Sequence, residues 1–192
     1  SKWNTLVQLL TLIGTLLQKQ RDAMGMLEIN EMGSHFFESK ATSVWIKQML
    51  NHLSKKDGET KKNANIAFEI EALMAKIPRR SQIILFIDLF QENLEKILDA
   101  AALLAFEGHS VRCTFISHAE LELNEEYFAG KQVIDIETGT KAYINQNDAK
   151  RYVSFVEAQK EWAITLSRNL NLNCKILDAS REPMYLLREL LA

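Results

Sequence analysis

Five consecutive apolar residues, Ile83-Ile84-Leu85-Phe86-Ile87, run without interruption and stop at Asp88. A run with no polar alternation and several β-branched side chains is the pattern of a strand buried on both faces. An apolar helical stripe follows through Leu94, Ile97, Leu98, Ala101, Leu104 and Ala105. It closes at Glu107-Gly108-His109, where Gly108 suits the position just past a helix end. Val111 to Ile116 then repeats the strand pattern. Strand, helix and strand in this register make a βαβ unit, which implies parallel neighbours and a right-handed crossover. The chain is thereby constrained to an α/β fold with a mainly parallel sheet.

The flanking segments fit around that unit. Trp3, Leu6, Leu10, Ile13 and Leu17 mark an amphipathic helix over 3–19. Ala23 to Ile29 reads as a short buried strand, with Gly25 allowing close packing, and His35 to Glu38 as its hairpin partner across Asn30 to Gly33. Thr42 or Ser43 can cap a helix carrying Val44, Ile46, Met49, Leu50 and Leu53. Lys55 to Gly58 is a turn, and a further helix is expected from about Asn65 to Lys76, stopped by Pro78. Residues 119–145 read as an excursion from the sheet, in which Val133–Ile136 and Ala142–Ile144 pair around Thr138-Gly139. A long helix over about 147–170, a short strand at Lys175-Ile176-Leu177 and a helix opened by Pro183 complete the pattern.

With 192 residues, the chain is long enough for one domain, and the whole of 1–192 reads as such. A net charge of −2 gives no reason to expect nucleic acid or a membrane surface as partner. No apolar run reaches the roughly 18 residues of a membrane span, so a cytoplasmic setting is expected. Cys113 and Cys174 lie in strand-like runs and read as buried free thiols. The chain starts abruptly, Ser1-Lys2-Trp3 leading straight into a helix with no strand ahead of it, as a fragment would.

Three segments carry a resemblance. They are Lys19-Gln20-Arg21-Asp22-Ala23-Met24-Gly25-Met26; Arg79-Arg80-Ser81 with the apolar strand and Asp88-Leu89-Phe90; and Val133-Ile134-Asp135-Ile136-Glu137-Thr138-Gly139. Gly108 to Val111 and Ala119 to Leu123 fall in register between them. In this order the chain resembles the bacterial family known as domain of unknown function 58, in the version found in Bacteroidetes-type bacteria. The resemblance implies a von Willebrand A-like fold, a doubly wound and mainly parallel sheet in three layers, and an adaptor role beside MoxR-type AAA+ ATPases. In many relatives it also implies a metal-ion-dependent adhesion site. That site uses a D-x-S-x-S loop after a first strand, a Thr on a second loop and an Asp after a later strand.

Such a site needs an octahedral set of oxygens for Mg²⁺. Here the D-x-S-x-S loop would precede Lys2, Ala64 of Ala64-Asn65-Ile66 stands at the Thr position, and Asp88 alone matches, with Ile87 where relatives have Ser. The implied site is therefore degenerate, no cofactor is expected, and Asp88 is its one residual metal position. In a plainer role, Asp88 would cap the following helix at Gln91 or Glu92, or close the strand.

Neither a phosphate-cradling glycine loop nor a G-x-S-x-G elbow occurs, and the four histidines lack metal-ligand spacing. Lys55-Lys56 and Lys61-Lys62 near Arg79-Arg80 read as a solvated loop, or a contact for an acidic partner. Trp3, Trp45 and Trp162 read as core residues, Trp45 being the candidate for an exposed anchor. The function expected is non-enzymatic: a module that binds a protein partner, a MoxR-type ATPase by resemblance. The contact would lie at the sheet's C-terminal edge, through Asn63, Ala64, Asn65, Asp88, Leu89 and His118. Two alternatives share that edge: a hydrolase using Asp88 and His118 as an acid–base pair, and a Mg²⁺-dependent adhesion domain.

Overall fold

The computed structural model describes residues 1–30, 33–54, 65–134 and 141–192. It begins with α1 (Lys2–Gln20) and an antiparallel hairpin of β1 (Met24–Asn30) and β2 (Gly33–Lys40). Next come α2 (Ser43–Ser54), α3 (Ile66–Leu73), β3 (Gln82–Asp88), α4 (Leu94–Phe106) and β4 (Ser110–Ser117). Two one-turn helices, α5 (Ala119–Glu122) and α6 (Glu125–Phe128), precede a second hairpin, β5 (Lys131–Ile134) with β6 (Lys141–Ile144). The order ends with α7 (Gln146–Asn169), β7 (Asn173–Asp178) and α8 (Pro183–Leu191).

The centre is a parallel sheet in the order β3-β4-β7. Ile83 lies opposite Val111, Asp88 opposite Ile116, and Ser117 opposite Asp178, so all three strands end together. Alternation along each strand sends side chains into two cores. Ile83, Leu85, Ile87, Val111, Cys113 and Phe115 meet α4 and α7 on one face. Ile84, Phe86, Ile116 and Leu177 meet Leu9 of α1 and Leu186, Leu187 and Leu190 of α8 on the other. Helices on both faces of a parallel sheet give the mixed α/β architecture expected, compatible with a Rossmann-like fold. Burial of a side chain such as Phe115, fully enclosed, stabilises by about 1.5–3 kcal/mol.

One expectation is corrected by position. Although β3 packs on both faces, it is an edge strand of the sheet among the described residues, and only Ile87 within its apolar run is buried. The buried centre is β4, despite the polar Arg112 and Thr114 within it. The β1–β2 hairpin is likewise half-covered rather than buried. One face, with Met24 and Phe37, packs on Ile46 and Met49 of α2 and Leu17 of α1. From the other, Ser34 donates to Glu69 Oε2 of α3 at 2.5 Å. Gly25 lies at a bulge in this pairing, where a Cβ would meet the Phe37 carbonyl oxygen at 2.9 Å and the Ser39 nitrogen at 3.0 Å.

Helix ends follow local chemistry. Gly108 (φ 91°) follows α4, with its N–H on the Ala105 carbonyl and that of His109 on Leu104, a Schellman closure. Asn145 and Asp148 form a reciprocal capping box at the start of α7. The Asn65 side chain caps α3 through the Phe68 N–H at 3.2 Å. That helix stops at Leu73, short of the expected Lys76, and the chain passes into tighter turns in which the Met74 N–H meets the Glu71 carbonyl and the Lys76 N–H the Leu73 carbonyl.

Trp45 is not a free anchor: its indole N–H donates to the Glu38 carbonyl at 2.7 Å and Lys40 lies over the ring. Trp162 is partly exposed on α7 rather than in the core. The two cysteines are free and face each other across β4 and β7. Burial, with a smaller effect of Cys174, pushes the Cys113 thiol up to about 12. No helix among the described residues is long and apolar enough to cross a membrane. The lysine pairs at 55–62 and the Thr138-Gly139 turn lie outside the described residues.

Candidate functional site at the C-terminal end of the sheet

In an open parallel sheet, ligands meet the ends where strands hand over to loops. Here these ends carry Asp88 and Asp178, with His118 just past β4. Oδ1 of Asp88 accepts the Phe90 N–H at 2.9 Å, and its carbonyl accepts the Gln91 N–H at 3.1 Å. The side chain thus closes the strand by an Asx turn and does not cap the helix, which begins only at Leu94.

The other carboxylate oxygen, Oδ2, holds the Lys2 ammonium at 3.1 Å. Lys2 reaches it because α1 packs Leu9 against Ile116 and Leu177, which places the start of the helix over the strand ends. The same ammonium lies 2.5 Å from Oε1 of Glu122 and 5.8 Å from the centre of the Phe90 ring. Glu122 is delivered by the single turn of α5, which folds back so that Oε2 accepts the His118 N–H at 3.0 Å. Side-chain exposures are 47% for Asp88, 26% for Lys2 and 10% for Glu122. A carboxylate as buried as Glu122 is tolerated because a charge and an N–H meet it. For Lys2, burial is the largest influence and lowers the pKa, but Asp88 and Glu122 outweigh it and hold the ammonium above the usual lysine range.

Beside this triad Oδ1 of Asp178 accepts the N–H groups of Ala119 at 2.9 Å and Ser180 at 3.0 Å. Burial pushes the Asp178 pKa up, but these bonds and nearby Arg181 more than offset it and hold the carboxyl below its usual range. An aromatic wall borders the triad. Phe90 stacks on Phe155 of α7 at 5.8 Å, and Tyr152 meets Phe128 of α6 at 4.9 Å. Burial first, and then the charges of Glu122 and Asp88, raise the Tyr152 pKa against the opposing effect of Lys2.

The expected site residues separate. Asn63 and Ala64 lie outside the described residues. Asn65 lines a shallow groove between α3 and α4 with Phe68, Lys96 and Asp99. Leu89 is fully buried, so its side chain anchors the loop in the core and cannot serve as a contact; its carbonyl accepts from Gln159. His118 and Asp88 share the edge, yet no hydrogen bond joins them, and His118 Nδ1 is buried without a partner. Lys2 and Glu122, the two residues that complete the cluster around Asp88, were not expected. Glu122 lay within a stretch noted only for its register, and Lys2 comes together with Asp88 across 86 positions.

Among the described residues no group of three or more His, Cys, Asp or Glu side chains converges so as to hold a metal ion. The cation that Asp88 and Glu122 share is the ammonium of Lys2. Neither a curated protein nor a solved structure matches the chain significantly. A family profile described as protein of unknown function DUF58 does match, over residues 1–163, and the chain belongs to that family.

Proposed function

We propose that residues 1–192 form one von Willebrand A-like domain that captures a protein partner at the C-terminal end of its sheet. It does so without metal, cofactor or catalysis. The observation that carries this reading is the triad itself: the position between Asp88 and Glu122 is filled from within by Lys2, leaving a charged, half-exposed surface rather than a coordination site. The absence of a hydrogen bond between Asp88 and His118 leaves no poised acid–base pair, which supports recognition over hydrolysis. The von Willebrand A-like assignment draws support from the family match and from the parallel sheet β3-β4-β7 with helices on both faces. The partner is proposed, through the family resemblance, to be a MoxR-type AAA+ ATPase in the cytoplasm.

The test is capture of such an ATPase by the immobilised domain. Asp88→Lys should reduce capture by about tenfold, the scale of one interfacial ion pair lost and reversed, in a protein that stays folded by circular dichroism, although loss of the Lys2 contact and of the Phe90 N–H acceptor lowers its melting temperature. Undiminished capture by the folded variant would overturn the reading.

A further inference from the structure

Resting on the protein-binding reading, we infer that the partner presents a basic, arginine-bearing segment to this edge. Charge is the first argument. Residues 88–95 carry three acidic residues and no Lys or Arg, and residues 118–128 carry four glutamates and no Lys or Arg. Over the whole chain the two signs nearly balance, 25 acidic against 23 basic. The opposite end of the sheet has the reverse sign, with Lys76, Arg79 and Arg80 in the turn leading to β3. Acidic residues in first helical turns offset the helix dipole, which accounts for Glu95 of α4. Helices α5 and α6 have four residues each, too short to need the two such charges that each carries.

The second argument is that cations already lie against the aromatic rings of this edge. Lys2 lies between two carboxylates and over Phe90, and Lys131 lies 4.2 Å from the centre of the Tyr127 ring. Phe155, 55% exposed and stacked on Phe90, continues the same wall outward. A flat guanidinium satisfies both demands, stacking on a ring while forking onto a carboxylate, better than an ammonium does. Lys2 is thus an internal likeness of the side chain the partner brings.

Fluorescence anisotropy with two labelled peptides tests this, one alternating Arg and Gly and the other alternating Glu and Gly. The arginine peptide binds and the glutamate peptide does not, and affinity falls between about 50 and about 300 mM salt as screening shortens. E120K/E126K weakens binding at least about tenfold. D22K/E107K, with the same change in net charge at other exposed positions, alters it less than about twofold. F155A weakens it about fivefold with an unchanged melting temperature, as loss of a cation–π contact requires. Equal loss in both double variants, or no binding of the arginine peptide, overturns the inference. So does displacement of the peptide by Mg²⁺ at matched ionic strength, which would give the edge to a divalent cation. If Asp88→Lys abolishes ATPase capture while the arginine peptide fails to bind, the chemistry assigned to the partner falls and the protein-binding reading stands.

Discussion

Replacing Lys2 by Met tests whether the triad holds the two cores to the strand ends. Methionine keeps most of the apolar stem, so the loss is the charge. The arm to Glu122 is largely buried, and a hydrogen bond to a charged group there contributes about 1.5–3 kcal/mol. The arm to Asp88 is half exposed and adds at most about 1 kcal/mol. Glu122 keeps the His118 N–H, which limits the penalty of its stranded charge. The sum is about 1.5–4 kcal/mol, or about 3–16 °C in melting temperature for a chain of this size. Urea unfolding followed by circular dichroism at neutral pH measures it. A double-mutant cycle with Glu122→Gln should return a coupling of about 1–2 kcal/mol. Because the folded ammonium titrates above the ordinary lysine value, its contribution is complete below that value and disappears as pH rises through the folded one. The gap between wild type and Lys2→Met therefore holds from about pH 6 to about pH 9 and closes above about pH 10.5. A variant within about 0.3 kcal/mol of wild type, or a cycle with no coupling, would refute the assigned role.

Three further outcomes follow from other parts of the fold. Gly25→Ala drives a methyl into the backbone of β2 and should cost about 1–3 kcal/mol by denaturant unfolding, with no change in partner capture. Asp178→Ala removes the acceptor for two N–H groups and should cost about 1–2 kcal/mol at neutral pH. Since the folded Asp178 pKa is depressed, that difference is present above the ordinary aspartate value and shrinks as pH falls below about 3.9, which an acid series of unfolding curves would resolve. Cys113, enclosed and with its thiol raised to about 12, should resist a thiol reagent at mild alkaline pH in the native protein and react once urea unfolds the chain.

Periodicity revealed most elements and little of their neighbourhood. The run Ile83–Ile87 identified a strand with two packed faces, but nothing in those residues tells an edge from a centre, because helices cover both faces in either place. The centre fell to β4, whose Arg112 and Thr114 dilute the apolar signal. Gly108, Asn65, Asn145 and Pro183 declared helix ends because cap chemistry is local. One-turn helices such as α5 and α6 are too short for a stripe, so the excursion showed its hairpin in the sequence and not its helices. Asp88 was visible as a carboxylate at a strand end. Its partners were not, since Lys2 is brought to it by α1 packing and Glu122 by a single turn. Leu89 shows the reverse error, a neighbour in sequence whose side chain points the other way.

Helix α1 touches both ends of this arrangement. Leu9 belongs to the core beneath β4 and β7, Leu17 to the core beneath the first hairpin, and Lys2 to the charged cluster. Its 19 residues make a rod of about 28 Å. A tilt of about 5° about the far end of such a rod sweeps the near end through about 2 Å, enough to part the ammonium from a carboxylate it now touches.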